Sequence, residues 1–168
     1  MTQMTVSELS DRAEIADVLY LFCQLLDRRD WDAMDQIFHD DAKVTYSYRD
    51  AVQPAMEWVE RASKILDAFS RTFHQLGNML IDIDGDSARV ETYVTATHCV
   101  PPTAPKEGFW ASKDEPYNGI GGARYLDRFE RRDGKWKIVV HETIVEWRHD
   151  EPALHDHLLQ VEHQAADE

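Results

Sequence analysis

Arg128-Phe129-Glu130-Arg131-Arg132-Asp133-Gly134-Lys135-Trp136-Lys137-Ile138 is the stretch that decides the fold. Asp-Gly is a strong two-residue hairpin signal, because both positions tolerate the positive φ that a twisted antiparallel pair needs at its turn. The reading extends outward on both sides to a hairpin of about 119–147. Upstream, Ile83-Asp84-Gly85-Asp86 repeats the signal at the centre of a second hairpin expected over 74–100. There Val90, Thr92, Val94, Ala96, His98 and Val100 fall on one largely apolar face. Arg89, Glu91, Tyr93, Thr95 and Thr97 fall on the other. This alternation marks a sheet with one buried face.

The first third of the chain has a different period. Ile15, Val18, Leu19, Phe22, Leu25 and Leu26 recur at helical spacing. Asp11 with Glu14 forms a candidate capping box, and Ser7 or Ser10 are earlier candidate starts. The helix should end near Leu26 or Asp27, where Arg28-Arg29-Asp30 breaks the pattern. A short helix with Trp31, Met34, Ile37 and Phe38 follows. A strand alternates through Ala42, Val44, Tyr46 and Tyr48, and Pro54 opens an amphipathic helix bearing Trp58, Ala62, Ile65, Leu66 and Phe69. Helices first and long strands later indicate an α+β fold, a curved antiparallel sheet over N-terminal helices.

The segment 101–118 carries four prolines with Phe109, Trp110 and Tyr117. It is too long for a simple turn and reads as a lid-like loop. Leu154, Leu158 and Val161 suggest a tail helix over about 152–165. The 168 residues fit a single domain spanning 1–168. The formal charge of −14 opposes a nucleic-acid partner, which needs clustered Lys and Arg. No apolar run reaches the roughly 20 residues of a membrane span. The N-terminus lacks a basic start and an apolar block, so a cytoplasmic location is expected. Cys23 and Cys99 cannot build a zinc ribbon or a disulfide framework. Glycine-rich phosphate loops, Gly-x-Ser-x-Gly elbows and His-Glu-x-x-His helices are missing, so no metal and no cofactor are expected.

Four polar residues fall where the pattern says inside. Asp27 shares a helical stripe with Ala16, Tyr20 and Cys23. It is either a solvated helix-end carboxylate or a group aimed into a cavity, and a helix C-terminus is the wrong end for a negative charge. His98 lies on the buried face of its strand, either as a core histidine with a partner or as a site group. His74 stands where helix becomes sheet, and His141 lies between Val139 and Val145 on a strand face. Three histidines with a carboxylate and two tyrosines on one curved sheet suggest a cavity lined by proton-transfer groups. Trp110 and Tyr117 would either close over a ligand or staple the loop down.

Several motifs together resemble the SnoaL-like family. They are Arg12-Ala13-Glu14-Ile15-Ala16-Asp17-Val18-Leu19, the Leu26-Asp27 break, Trp31-Asp32-Ala33-Met34, Phe38-His39-Asp40-Asp41-Ala42 and the Arg128–Ile138 hairpin. The resemblance covers about Glu8 to Arg148. It implies the nuclear transport factor 2-like cone, a sheet wrapped over three helices that hosts dehydratases, isomerases, cyclases and non-catalytic subunits. The polar pattern is most similar to scytalone dehydratase and its bacterial relatives, which include a bile-acid dehydratase and hexachlorocyclohexane dehydrochlorinase. Asp27 and His74 match the Asp and His that these share, and Tyr46 and His98 fit the fungal enzyme's first-strand Tyr and second His. Leu26 departs from the fungal enzyme, which has a tyrosine there. Phe22 and His141 stand about where the dehydrochlorinase has a lysine and an arginine, which argues against a halide-leaving site.

The resemblance implies a cofactor-independent lyase, a dehydratase acting on a small hydrophobic or cyclic substrate. Asp27, His74, His98 and Tyr46 would be catalytic, with Tyr20, Tyr48, His141 and Trp110 as substrate contacts. Elimination of water β to a carbonyl needs a base, an acid for the leaving hydroxyl and a donor for the enolate oxygen, and these residue types supply all three. The alternatives are a SnoaL-type cyclase, a ketosteroid-isomerase-like enzyme, or a non-catalytic cone such as a ligand-binding protein or an oxygenase small subunit. Relatives of this kind associate through their sheets, so a homotrimer is expected, with a dimer as the alternative.

Overall fold

The computed structural model describes residues 4–47 and 49–153. Tyr48 and the expected tail helix beyond Ala153 lie outside the described residues. Helix α1 (Val6–Arg28) is followed by a 3-10 helix (Trp31–Gln36), β1 (Phe38–Tyr46), β2 (Arg49–Pro54) and α2 (Ala55–Leu66). The long strands β3 (Arg71–Asp84), β4 (Ser87–Val100), β5 (Tyr117–Arg132) and β6 (Lys135–Pro152) complete the chain. They form one open six-stranded sheet in the order β2-β1-β6-β5-β4-β3.

Both Asp-Gly hairpins form, with different turns. Asp133 and Gly134 have φ of 53° and 75°, the pair of positive values of a type I′ turn. In the other hairpin Asp84 pairs with Ser87, so the turn residues are Gly85 and Asp86. Gly85 supplies the single positive φ, 61°, as the first residue of a type II′ turn does. The sheet is not wholly antiparallel, because β1 runs parallel to β6. The sequence reading also missed β2, a short edge strand ending at Pro54, where proline is tolerated because no further strand needs its N–H. Register shifts between Leu76 and Met79 and between Gly122 and Ala123 bend the sheet over the helices.

Helix α1 begins earlier than expected. Its cap is Thr5, whose hydroxyl accepts from the Glu8 N–H while the Glu8 carboxylate accepts from the Thr5 N–H. Asp11 and Glu14 do other work. Asp11 accepts from Trp136 Nε1 (3.0 Å) and pairs with Arg131 (2.7 Å), and Glu14 accepts from the Trp136 N–H. They fasten the first helix to the hairpin whose turn is Asp133-Gly134. The core between helices and sheet holds Ile15, Leu19, Phe22, Met34, Ile37, Phe38, Phe129, Trp136 and Ile138, each essentially inaccessible. Each such side chain contributes roughly 1.5–3 kcal/mol by its burial. No helix of the described residues is long and apolar enough to cross a membrane.

Candidate active site

The last turn of α1 delivers Asp27 to the foot of β3. Three groups hold the carboxylate at this unfavourable helix end. The His74 N–H donates to Oδ2 (2.9 Å), the Thr72 hydroxyl donates to Oδ1 (3.0 Å), and His74 Nδ1 lies 2.7 Å from Oδ1. Arg29 locks the corner. It adopts a left-handed backbone (φ 62°) that ends the helix, and its guanidinium donates to the Leu26 carbonyl and to Thr72 Oγ1 at 2.7 Å. A non-glycine residue in this region carries strain of order 1 kcal/mol or more, held by the surrounding hydrogen bonds. The Asp27 contact occupies Nδ1 of His74 and so leaves Nε2 as the ring atom for the pocket.

That pocket is a cavity of about 160 Å³ between α2, the sheet and the 101–116 loop. Tyr46, Trp58, Phe69, His74, His98 and Trp110 are among its lining residues. Tyr46 is stacked on Trp58 (centroids 6.2 Å apart). The His98 ring stands perpendicular to His74 at 5.4 Å and stacks on Trp110 at 4.7 Å. His98 is only 6% exposed, and its Nδ1 makes no hydrogen bond. Burial, followed by the charges of His74 and Arg29, pushes His98 well below the usual histidine range, against a smaller pull from the Gly119 backbone. His98 is therefore neutral at pH 7.

Trp110 comes from the 101–116 loop and reaches β5 only because Gly119 has no side chain; a Cβ there would overlap the indole. The Arg148 guanidinium lies over the same indole at 4.4 Å and also donates to the Phe109 carbonyl, fastening the loop to β6. Tyr117 donates to the Ala111 carbonyl and so braces the loop from within.

The structure thus brings His74, His98, Tyr46 and Trp110 to one cavity, with Asp27 behind His74 and not itself on the cavity wall. It does not bring Tyr20 there, since Tyr20 is half exposed on α1 and is not among the lining residues. His141 is fully buried under the cavity rather than on its wall, bonded to Asp127 and Thr143. Cys23 is buried too, and desolvation, with the charges of Asp27 and Asp127, pushes its thiol up to about 12, which removes it as a nucleophile. Thr72, Arg29, Asp127 and Thr143 escaped the sequence reading. Thr72 lies two residues before His74, so strand parity places it on the same face. Asp127 interrupts the inward row Tyr125, Asp127, Phe129, a carboxylate at an apolar position. Among the described residues no group of His, Cys, Asp and Glu is arranged to hold a metal ion.

Residues 7–141 match the SnoaL-like domain. An uncharacterised protein of Mycobacterium tuberculosis is 31% identical over 139 residues, which cover 82% of this chain and 87% of the relative. Among solved structures, a proposed scytalone dehydratase of Novosphingobium aromaticivorans superposes with a TM-score of 0.71 at 22% identity, covering 90% of this chain and 94% of that one. A type 2 hexachlorocyclohexane dehydrochlorinase gives a TM-score of 0.72 at 18% identity, covering 88% and 93%. At these identities the solved structures establish the shared cone fold, the fold of a mixed sheet curved over N-terminal helices. By its match over most of its length, and with this fold, the chain belongs to the SnoaL-like family.

Proposed function

We propose that the protein is a cofactor-independent lyase that eliminates water from a small cyclic β-hydroxy carbonyl compound. The observation that carries this reading is the 2.7 Å contact of Asp27 with His74 Nδ1 at the wall of an apolar cavity. A carboxylate on Nδ1 fixes the tautomer with its lone pair on Nε2 and stabilises the imidazolium formed when that atom takes a proton. The SnoaL-like family and the dehydratase and dehydrochlorinase neighbours support the same class of reaction.

In this reading His74 Nε2 takes the proton α to the carbonyl, and the electron pair moves onto the carbonyl oxygen as an enolate. Tyr46 stabilises that oxygen. As the enolate collapses, the C=C bond forms, the β C–O bond breaks, and the departing hydroxyl leaves as water. Since His98 is neutral, the proton that leaves with the hydroxyl is the one His74 has just taken. His98 assists by hydrogen bonding to that hydroxyl, and Trp110 closes the cavity and excludes bulk water. An apolar cavity of about 150 Å³ holds one benzene ring, so the cavity size supports a single-ring substrate.

The test is a turnover screen of cyclic β-hydroxy ketones, followed by the appearance of the conjugated enone in the ultraviolet. Dehydration by the native protein and its loss in His74→Ala are expected. No turnover across such a set, or equal turnover by His74→Ala, would overturn the reading. A homo-oligomer, trimer before dimer, is proposed with it. The outer face of the sheet leaves Phe73, Leu80, Tyr93 and Trp147 exposed, apolar area that a second copy would cover.

A further inference from the structure

A second histidine–carboxylate pair lies under the pocket, and the elimination chemistry does not use it. Asp127 on β5 and His141 on β6 are register partners, and His141 Nδ1 lies 2.7 Å from Asp127 Oδ1. Neither side chain has any exposed surface. The rings of Tyr125, Phe22 and Trp58 surround the imidazole at 4.7, 5.2 and 6.4 Å between centroids. The far nitrogen, Nε2, is 3.0 Å from Thr143 Oγ1, and Thr143 lines the cavity. Thr143 is also the register partner of Tyr46 on β1 and of Tyr125 on β5. One row across the sheet therefore carries three hydroxyl-bearing residues, all of which line the cavity.

Charge sets the direction of the relay that ends at Thr143. A net charge in so apolar a cage is costly, so the pair should be neutral as a whole. Two neutral forms exist. In one, the carboxyl keeps its proton and donates it to Nδ1, which puts the ring's own proton on Nε2. In the other, a carboxylate faces an imidazolium that carries protons on both nitrogens. Nε2 bears a hydrogen in both, so it donates to Thr143 Oγ1 and the threonine's own proton is left for the cavity. The anionic form would do the opposite: a bare Nε2 would accept the threonine proton and the cavity would meet a lone pair. Asp127 Oδ2 has no hydrogen-bond partner, which suits a carboxyl that does not carry a full charge. Burial pushes the same carboxyl upward, against the pull of His141.

We infer that Thr143 is a hydrogen-bond donor to the carbonyl oxygen of a ring-sized ligand, with His141 and Asp127 as positioning residues that keep its proton turned to the cavity. The identity of that oxygen as the one that becomes an enolate rests on the lyase reading above; the donor direction does not. The ligand class is a cyclic compound with an accepting oxygen, and cyclohex-2-enone is a probe of the right size.

The experiment has two arms on the full chain. Nitrogen-15 spectra of the histidine-labelled native protein should show His141 Nε2 protonated; an unprotonated Nε2 would overturn the inference without any variant. Infrared spectra of bound cyclohex-2-enone should show its carbonyl stretch lowered, and Thr143→Val should raise it again and weaken binding by about tenfold, the size of one hydrogen bond. Thr143→Ser should keep both. An unchanged stretch and affinity in Thr143→Val, or failure of the native protein to take up the enone, would overturn it. A lowered stretch in a protein that dehydrates nothing would uphold the donor while defeating the lyase reading.

Discussion

Two Asp–His pairs of identical length, 2.7 Å, sit in one cone in different surroundings. In the first, His74 is 7% and Asp27 21% exposed; the Thr72 hydroxyl and the His74 N–H also donate to the carboxylate, and Arg29 in turn donates to Thr72 Oγ1. In the second, His141 and Asp127 are completely enclosed, and Asp127 Oδ2 is without a partner. Hydrogen-bond donors and nearby solvent surround the first carboxylate. No comparable donors or solvent surround the second pair, where a net charge would be costly. A histidine can exchange a proton with a ligand only where its change of charge is tolerated. The same short contact thus underlies the proposed proton-transfer unit beside the cavity and the proposed hydrogen-bond relay beneath it.

The sharpest contrast comes from deleting each histidine. His141→Ala leaves Asp127 buried without its partner and should cost about 3–5 kcal/mol of stability, read as a large fall in Tm. His74→Ala should cost clearly less stability, since the Thr72 hydroxyl and the backbone N–H at position 74 still bind Asp27, and reduce turnover by about 10²–10⁴-fold. Equal stability losses at the two positions would erase the distinction.

Next in size is the 101–116 loop. Gly119→Ala forces a methyl into the Trp110 indole and should displace it from His98, at a cost of roughly 1–3 kcal/mol if the ring cannot yield. Indole fluorescence should become more solvent-like, and turnover should fall. An unaltered emission spectrum would show that Trp110 does not depend on that glycine.

His98 gives a pH signature of its own. Its folded pKa lies below its unfolded value, so the unfolded chain binds the proton more readily. Stability contributed by neutral His98 is therefore intact above about pH 6.5 and is lost as pH falls from there toward the folded pKa. His98→Asn should flatten that slope between pH 5 and 7 in denaturant titrations. A slope that survives the substitution would place its origin elsewhere. The smallest effect belongs to Tyr20→Phe, expected within about 0.5 kcal/mol in stability, because the side chain is half exposed and away from the cavity.

Most of the fold was legible because it depends on local signals. Two Asp-Gly turns, strand alternation and one helical stripe are each visible within about fifteen residues. The cap was misplaced because Asp11 and Glu14 look like a capping box but are bound to Trp136 and Arg131, more than a hundred residues away in sequence. Asp27, His74, His98 and His141 could be singled out because each is a polar side chain where the pattern points inward, whereas Tyr46 entered through the family resemblance. Thr72 and Arg29 could not, since a strand threonine has no chemical signature and Arg28-Arg29-Asp30 reads only as a helix break. The partnership of Asp127 with His141 depends on the register of β5 against β6, which the irregularity between Arg128 and Phe129 sets and no local pattern announces.

The central claim, that Asp27 and His74 act as one proton-transfer unit, is tested most directly by exchange rather than dehydration, because exchange needs no leaving group. Cyclohexanone in deuterium oxide, with α-deuteration followed by proton NMR, reads the abstraction step alone. The native protein should accelerate exchange, and His74→Ala and Asp27→Asn should each remove most of the acceleration. The double variant should be no worse than His74→Ala, since the carboxylate acts only through the ring. Losses that add in the double variant, or no acceleration by the native protein, would contradict the account.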